Sequence, residues 1–195
     1  LADLAEQYSF AEIRTTQQQN IILTDVKSTD LYSLWLELRH LKLDTPTVGT
    51  LSDTVCCPGA DFCNLANARS LPVNAAIQQQ FNDLNQLYEL GDLSLRISGC
   101  INACAHHHIA NIGILGVDKN GQEYYQITLG GMSGKVNAIG KVLGPSLPMD
   151  RVVPAIEQII GVYIANRSSP SESFSAVYQR IGKSPFKESV YAANN

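Results

Sequence analysis

The chain has 195 residues, 45% of them hydrophobic and 16% charged, with a formal net charge of −4. That length can bury a core without staples, the mild and scattered charge gives no nucleic-acid surface, and no apolar run approaches the ~20 residues that span a bilayer. Five cysteines, odd in number and unevenly clustered, do not read as a secreted disulfide framework, and they point to ligand chemistry in a reducing compartment, here the cytoplasm.

The chain opens Leu1-Ala-Asp-Leu with neither an initiator Met nor a leader pattern, which reads as an excerpt of a longer protein. Leu1 to Tyr8 carries Leu1, Leu4 and Ala5 as a short helix. Segments rich in β-formers, Glu12 to Thr16 and Ile21 to Val26, flank a Gln-rich turn and predict a hairpin. Ser28 is placed to cap a helix in which Leu31, Leu34, Trp35, Leu38 and Leu41 recur at helical spacing, predicting one buried face. Asp44 to Thr50 punctuates the chain as a boundary. Asp61 to Arg69 reads as a short helix. A longer one is predicted from Pro72 through Ile77, Phe81, Leu84 and Leu87 to a stop at Gly91. Alternation in Leu93 to Ser98 predicts a strand, followed by a hairpin of Asn111 to Asp118 and Glu123 to Leu129 around Asn120-Gly121. After the Gly-rich stretch Gly130 to Lys135 come a helix over about Asp150 to Arg167, the linker Ser168-Ser-Pro-Ser-Glu-Ser173, and a last helix through Phe174, Val177, Tyr178 and Ile181.

Cysteine spacing carries the chemistry. Thr54-Val-Cys-Cys-Pro-Gly-Ala-Asp-Phe-Cys63 supplies Cys-x5-Cys from Cys57, and Gly99-Cys-Ile-Asn-Ala-Cys104 supplies Cys-x3-Cys. Adjacent cysteines such as Cys56 and Cys57 are poorly placed to bond to each other. Structural zinc uses tighter hooks. A [4Fe–4S] cluster needs four thiolates around a cube, which suits these wider arms, and Pro58, Gly59, Ala60, Gly99, Ala103 and Ala105 keep the loops small beside a bulky inorganic core.

The stretches "CCPGADFCNLANA" and "ISGCINACAHHHIANIGILGVDKNG" resemble the siroheme-dependent nitrite and sulfite reductases. The resemblance implies that Cys57, Cys63, Cys100 and Cys104 hold a [4Fe–4S] cluster, that Cys104 also bridges to the siroheme iron, and that the backbone of Asn102 lies against the macrocycle. It extends over the chain, with residues 1–46 resembling the second ferredoxin-like half-domain and residues 47–195 the cluster and siroheme domain. The implied fold class is α+β, with a mixed sheet flanked by helices in the larger part. Ile101 and Ala105 stand where other branches often carry Pro and Gly, and Ala105 departs at a cost only where positive φ is required. The parent activity implied is six-electron reduction of sulfite to sulfide or nitrite to ammonia. Its partners would be a ferredoxin or flavoprotein donor and an N-terminal half of the same enzyme.

The remaining candidates have plainer readings. Cys56 reads as a small buried apolar side chain. His106, His107 and His108 cannot all face one site, and hydrogen bonding to the loop backbone is their expected task. Asn102 also suits an Asx turn. Lys135 and Lys141 read as surface lysines, and Arg14 as a weak siroheme-carboxylate candidate. Between Cys57 and Cys104 the basic residues are Arg69 and Arg96, too few for a carboxylate-rich macrocycle and an oxyanion. No catalytic side chain is therefore assigned. The competing class is a structural or docking module with empty or zinc-filled cysteines.

Overall fold

Alternation of apolar residues builds the main sheet, and period 2 decides which side chains each face receives. The computed structural model describes residues 1–134 and 136–192, which form two compact units, Leu1–Pro46 and Thr47–Asn195.

In the first unit, α1 (Ala2–Tyr8) leads into an antiparallel pair, β1 (Ile13–Thr15) with β2 (Ile21–Leu23), and then α2 (Leu31–His40). Ser9, fully buried, fastens the turn after α1 by bonding through its hydroxyl to the carbonyl oxygens of Glu12 and Thr24. The expected face of α2 is not buried. Leu34 is covered, but Leu31 is 53% exposed, Trp35 38% and Leu41 48%. The amphipathic pattern is present, while a unit of one helix pair and one short hairpin lacks the layer that would cover it. Ser28 does not cap α2; it begins a 3-10 turn, Ser28–Asp30, ahead of the helix.

In the second unit the sheet runs in the order β3 (Val55–Cys56), β4 (Leu95–Ser98), β5 (Ile112–Lys119), β6 (Gln122–Leu129), β7 (Lys141–Val142). The first three strands are parallel and the last three antiparallel, so the mixed sheet expected from the resemblance is present. Asn120 and Gly121 take φ of 56° and 77° at the β5–β6 turn, as an Asn-Gly hairpin requires. Leu95, Ile97, Ile112, Ile114, Ile127 and Leu129 form one core-facing side of the sheet, buried with helices α3 (Leu71–Gln80), α5 (Val152–Asn166) and α6 (Phe174–Ile181). Ser173 caps α6 by accepting from the Ala176 amide at 3.3 Å.

Three helix expectations are corrected. Asp61 to Arg69 is turn and loop, because the Gly99 carbonyl takes the amides of Asn67 and Ala68 at 2.9 and 3.1 Å. The helix from Pro72 breaks at Phe81 (ψ 64°), whose carbonyl accepts from Ser52 Oγ. The chain restarts as α4 (Leu84–Leu90), capped by Asp83. Phe174–Ile181 is not the last helix: α7 (Ser184–Tyr191) follows, with Pro185 in a first turn that tolerates it and Phe186 and Val190 in the core. Among the described residues no helix is long and apolar enough to cross a membrane.

Asn111 links the start of β4, the segment after β6 and α6. Its Oδ1 accepts from the Ser94 amide at 2.9 Å, and its Nδ2 donates to the Gly131 carbonyl at 3.1 Å and to Ser175 Oγ at 2.9 Å. Asn111→Leu strands these partners and is expected to cost about 2 kcal/mol; the shift of the urea midpoint at unchanged slope measures it.

Candidate functional site

Strand parity separates the two adjacent cysteines. Cys56 pairs with Ile97 in the β3–β4 ladder and belongs with it to the main core. Burial, reinforced by Cys57 and Asp61, pushes the Cys56 thiol up to about 12, which keeps it protonated and poorly suited to ligation. Cys57 emerges on the other side and forms a small buried cluster with Val55 and Ala105.

The second cysteine arm arrives by the same route, because β4 runs parallel to β3 and ends at Ser98, immediately before Gly99-Cys100. Both arms thus leave the carboxyl ends of neighbouring parallel strands, the edge at which open α/β sheets present their ligand sites. The Cys57 amide donates to the Ile97 carbonyl at 3.0 Å, and the Gly99 amide donates to Cys57 Sγ at 3.0 Å. A Cβ on Gly99 would lie 2.7 Å from the Ala68 carbonyl oxygen and 2.8 Å from Gly59 Cα. Only backbone fits where the arms touch.

Beyond Cys104 the chain crosses the sheet over Gly113, where a Cβ would come within 2.2 Å of the His107 carbonyl oxygen. The turns of this arm are bound by Ala103 N to Cys100 O and His106 N to Ala103 O. Left-handed backbone is needed at Ala103 and His106, each with φ of 54°. Ala105, where the absence of Gly is a departure, is not among the positive-φ residues and is buried.

None of the five cysteines is in a disulfide. Cys57 and Cys100 are buried, Cys63 is half-buried and Cys104 is exposed, so the donor set grades from the sheet edge outward. Among the described residues no three His, Cys, Asp or Glu side chains gather as a single-ion cage. The Ser98 hydroxyl is buried beside the second arm without a hydrogen-bond partner. A reduced thiol set on two arms, a Gly-lined junction and an orphaned donor suit a bulky sulfur-containing group better than a lone ion.

The other candidates separate. His106 and His108 are exposed and His107 is fully buried. The expected backbone hydrogen bonding fails for His107: neither ring nitrogen has a partner, and its ring lies 3.9 Å from that of His108. Burial, with the neighbouring His108, lowers its pKa to about 4. Asn102 is exposed on the turn between Cys100 and Cys104. Arg14 is exposed and paired with Glu12, Lys141 is exposed in β7, and Lys135 lies outside the described residues. Arg69 is held by Glu123 at 3.0 Å, and Arg96, half-buried, donates to the Ala105 carbonyl at 3.4 Å. Neither Ser98 nor the buried state of His107 was legible in advance, since both depend on which loop covers the second sheet face.

Two outcomes follow from this packing. Gly99→Ala must force the arms apart and is expected to destabilise by about 2 kcal/mol or more and to lower bound iron, read by denaturation and by iron analysis of the full-length protein. His107 has a folded-state pKa below its ordinary 6.5, so its stability contribution is present above pH 6.5 and is lost as pH falls from there toward about 4, because the unfolded chain binds the proton first. His107→Leu is expected to flatten that part of the stability–pH curve measured by chemical denaturation.

Known proteins are similar to this chain over most of its length. Residues 48–194 match the family described as the nitrite and sulphite reductase 4Fe-4S domain, and residues 1–41 match the nitrite/sulfite reductase ferredoxin-like half domain. The assimilatory ferredoxin-dependent nitrite reductase of Haloferax mediterranei is 30% identical over 175 residues, covering 87% of this chain and 30% of that protein. Sulfite reductase [ferredoxin] 2 of Mycolicibacterium paratuberculosis is 28% identical over 152 residues, 73% of this chain and 27% of its own length. The fold is that of the Mycobacterium tuberculosis NirA protein (TM-score 0.79, 24% identity, 94% of this chain and 35% of that one). It is also that of dissimilatory sulfite reductase I (TM-score 0.83, 13% identity, 97% and 64%). The chain therefore spans less than a third of the length of these two curated relatives. The family description names the [4Fe–4S] cluster that the resemblance implies. With two domain matches that together run through most of its length, the chain belongs to the nitrite and sulfite reductase family.

Proposed function

We propose that this chain is the cluster-carrying portion of a siroheme-dependent reductase acting on sulfite or nitrite, with residues 1–46 a ferredoxin-like half-domain and residues 47–195 the cluster and siroheme domain. The observation that carries the reading is the delivery of two thiol pairs to one edge of the sheet by the parallel strands β3 and β4. In this reading Cys57, Cys63, Cys100 and Cys104 hold the [4Fe–4S] cluster. Cys104, the exposed member of the set, and Asn102 on the same turn would also help to hold the siroheme. When bound, the two groups supply a one-electron relay and the iron at which the oxyanion is reduced.

The chain's own part is to fix the thiols and exclude water. Cys57 is seated between Val55 and Ala105, and the Gly99 amide donates to its sulfur, which fixes the sulfur at the junction of the arms. The turn from Cys100 to Cys104 is closed by its own backbone, which holds the two sulfurs of that arm in a set relation. Of the basic residues between the two cysteine arms, Arg69 is engaged by Glu123 and Arg96 by the Ala105 carbonyl, so this reading looks elsewhere for the cations that substrate binding needs. An N-terminal half of the same enzyme would provide them, and a reduced ferredoxin or flavoprotein would provide electrons. Ferredoxin appears in the names of both curated relatives above.

Iron analysis of the full-length protein tests the ligand set. Cys57→Ser, Cys63→Ser and Cys100→Ser are each expected to lose the cluster, and Cys56→Ser to retain it; equal loss from Cys56→Ser would move the register by one residue. Steady-state rates with each anion decide between sulfite and nitrite. The isolated 195-residue chain, reconstituted with both groups and a dye reductant, is expected to reduce neither, and turnover by it would overturn the division of labour.

A further inference from the structure

We propose that Ser70 is a positioning residue for Cys57: its hydroxyl donates a hydrogen bond to the Cys57 sulfur and raises the reduction potential of the cluster that this sulfur holds. The inference rests on the reading of Cys57 as a cluster ligand.

Ser70 is fully buried, and its Oγ lies 3.6 Å from Cys57 Sγ. It occupies the N-cap of α3, where a serine hydroxyl ordinarily accepts from an amide two or three residues on. No such bond is made here. Two residues on stands Pro72, which has no amide hydrogen to give. The hydroxyl is instead enclosed between the cysteine arms: a Cβ on Gly59 would stand 2.7 Å from Ser70 Oγ, and one on Gly99 3.0 Å.

The segment leading to Ser70 is fixed at every step. Ala60 N donates to the Ala68 carbonyl at 3.0 Å, the Asn67 and Ala68 amides donate to the Gly99 carbonyl, and the Tyr125 hydroxyl donates to the Arg69 carbonyl at 2.8 Å. A serine held there has the Cys57 sulfur as its partner. Ligation removes the thiol proton, after which sulfur can only accept and the Ser70 O–H must be the donor. With the Gly99 amide at 3.0 Å, Cys57 receives two hydrogen bonds. Both draw electron density from the thiolate and favour the more negative, reduced cluster, and hydrogen bonds to the sulfurs are among the determinants of cluster potential. On reduction one electron enters from the donor; no bond breaks and no proton moves.

The test is a potentiometric titration of the cluster in the full-length enzyme, followed by paramagnetic resonance, with Ser70→Ala beside wild type. The expected result is unchanged iron content and a reduced-to-oxidised ratio about tenfold lower at a given potential, equal to a midpoint about 59 mV more negative for a one-electron couple. A ratio within twofold of wild type, with iron intact, overturns the proposal. Should Ser70→Ala lose its iron, Ser70→Cys replaces O–H by a weaker S–H donor: a more negative midpoint supports the proposal and an unchanged one overturns it. Iron retained by Cys57→Ser, by contrast, defeats the ligand assignment itself.

Discussion

Everything at the candidate site depends on the close approach of two backbones. Gly59 and Gly99 meet so tightly that no Cβ fits at Gly99, and the Ala68 carbonyl closes the third side. This contact requires β3 and β4 to be parallel neighbours in a fixed register, for a slip of one residue would carry Gly99 past its partner and rotate the side chains of β4 to the opposite face. The short strand β3 is thus held by more than its own ladder. The amide of Cys57 continues the pairing, and the loop from Asn67 to Ser70 wraps the junction and is fastened to β6 through Glu123 and Tyr125.

Electrostatics around the arms is one-sided in kind. The groups that reach the Cys57 sulfur are neutral dipoles, a donating amide and a hydroxyl 3.6 Å away, while the Arg69 and Arg96 guanidinium groups are engaged by a carboxylate and a carbonyl. Neutral dipoles meet a buried sulfur without the desolvation cost that a paired charge would bring. Neutral donors do little for a free anion arriving from solvent.

Much of the larger unit was legible because its signals are local. Alternation in Leu93 to Ser98, the Asn120-Gly121 turn and the helical period of Val152–Asn166 each report on their own neighbours. The misreadings share a cause in longer-range capture. Asp61 to Arg69 has helical composition, but its amides are claimed by Gly99, some thirty residues on in sequence, and the helix from Pro72 is cut where Ser52 takes the Phe81 carbonyl. In the first unit the pattern of α2 was read correctly and its burial was not, since amphipathicity states what a helix could cover and not whether a cover exists. At the site, the cysteine spacing and small residues announced a bulky ligand. His107 and Ser98 were silent because their burial is imposed by the crossing loop.

The doublet Cys56-Cys57 looks, on paper, like a spare part beside the part in use. In space it is not. Period 2 sends one thiol into the helix-covered core and the other to the junction of the arms, so neither can stand in for the other without turning the strand over. Redundancy in composition is therefore no redundancy in the fold. A chain that lost Cys57 would still display a cysteine one position away, and simple inspection of the motif would count it as complete.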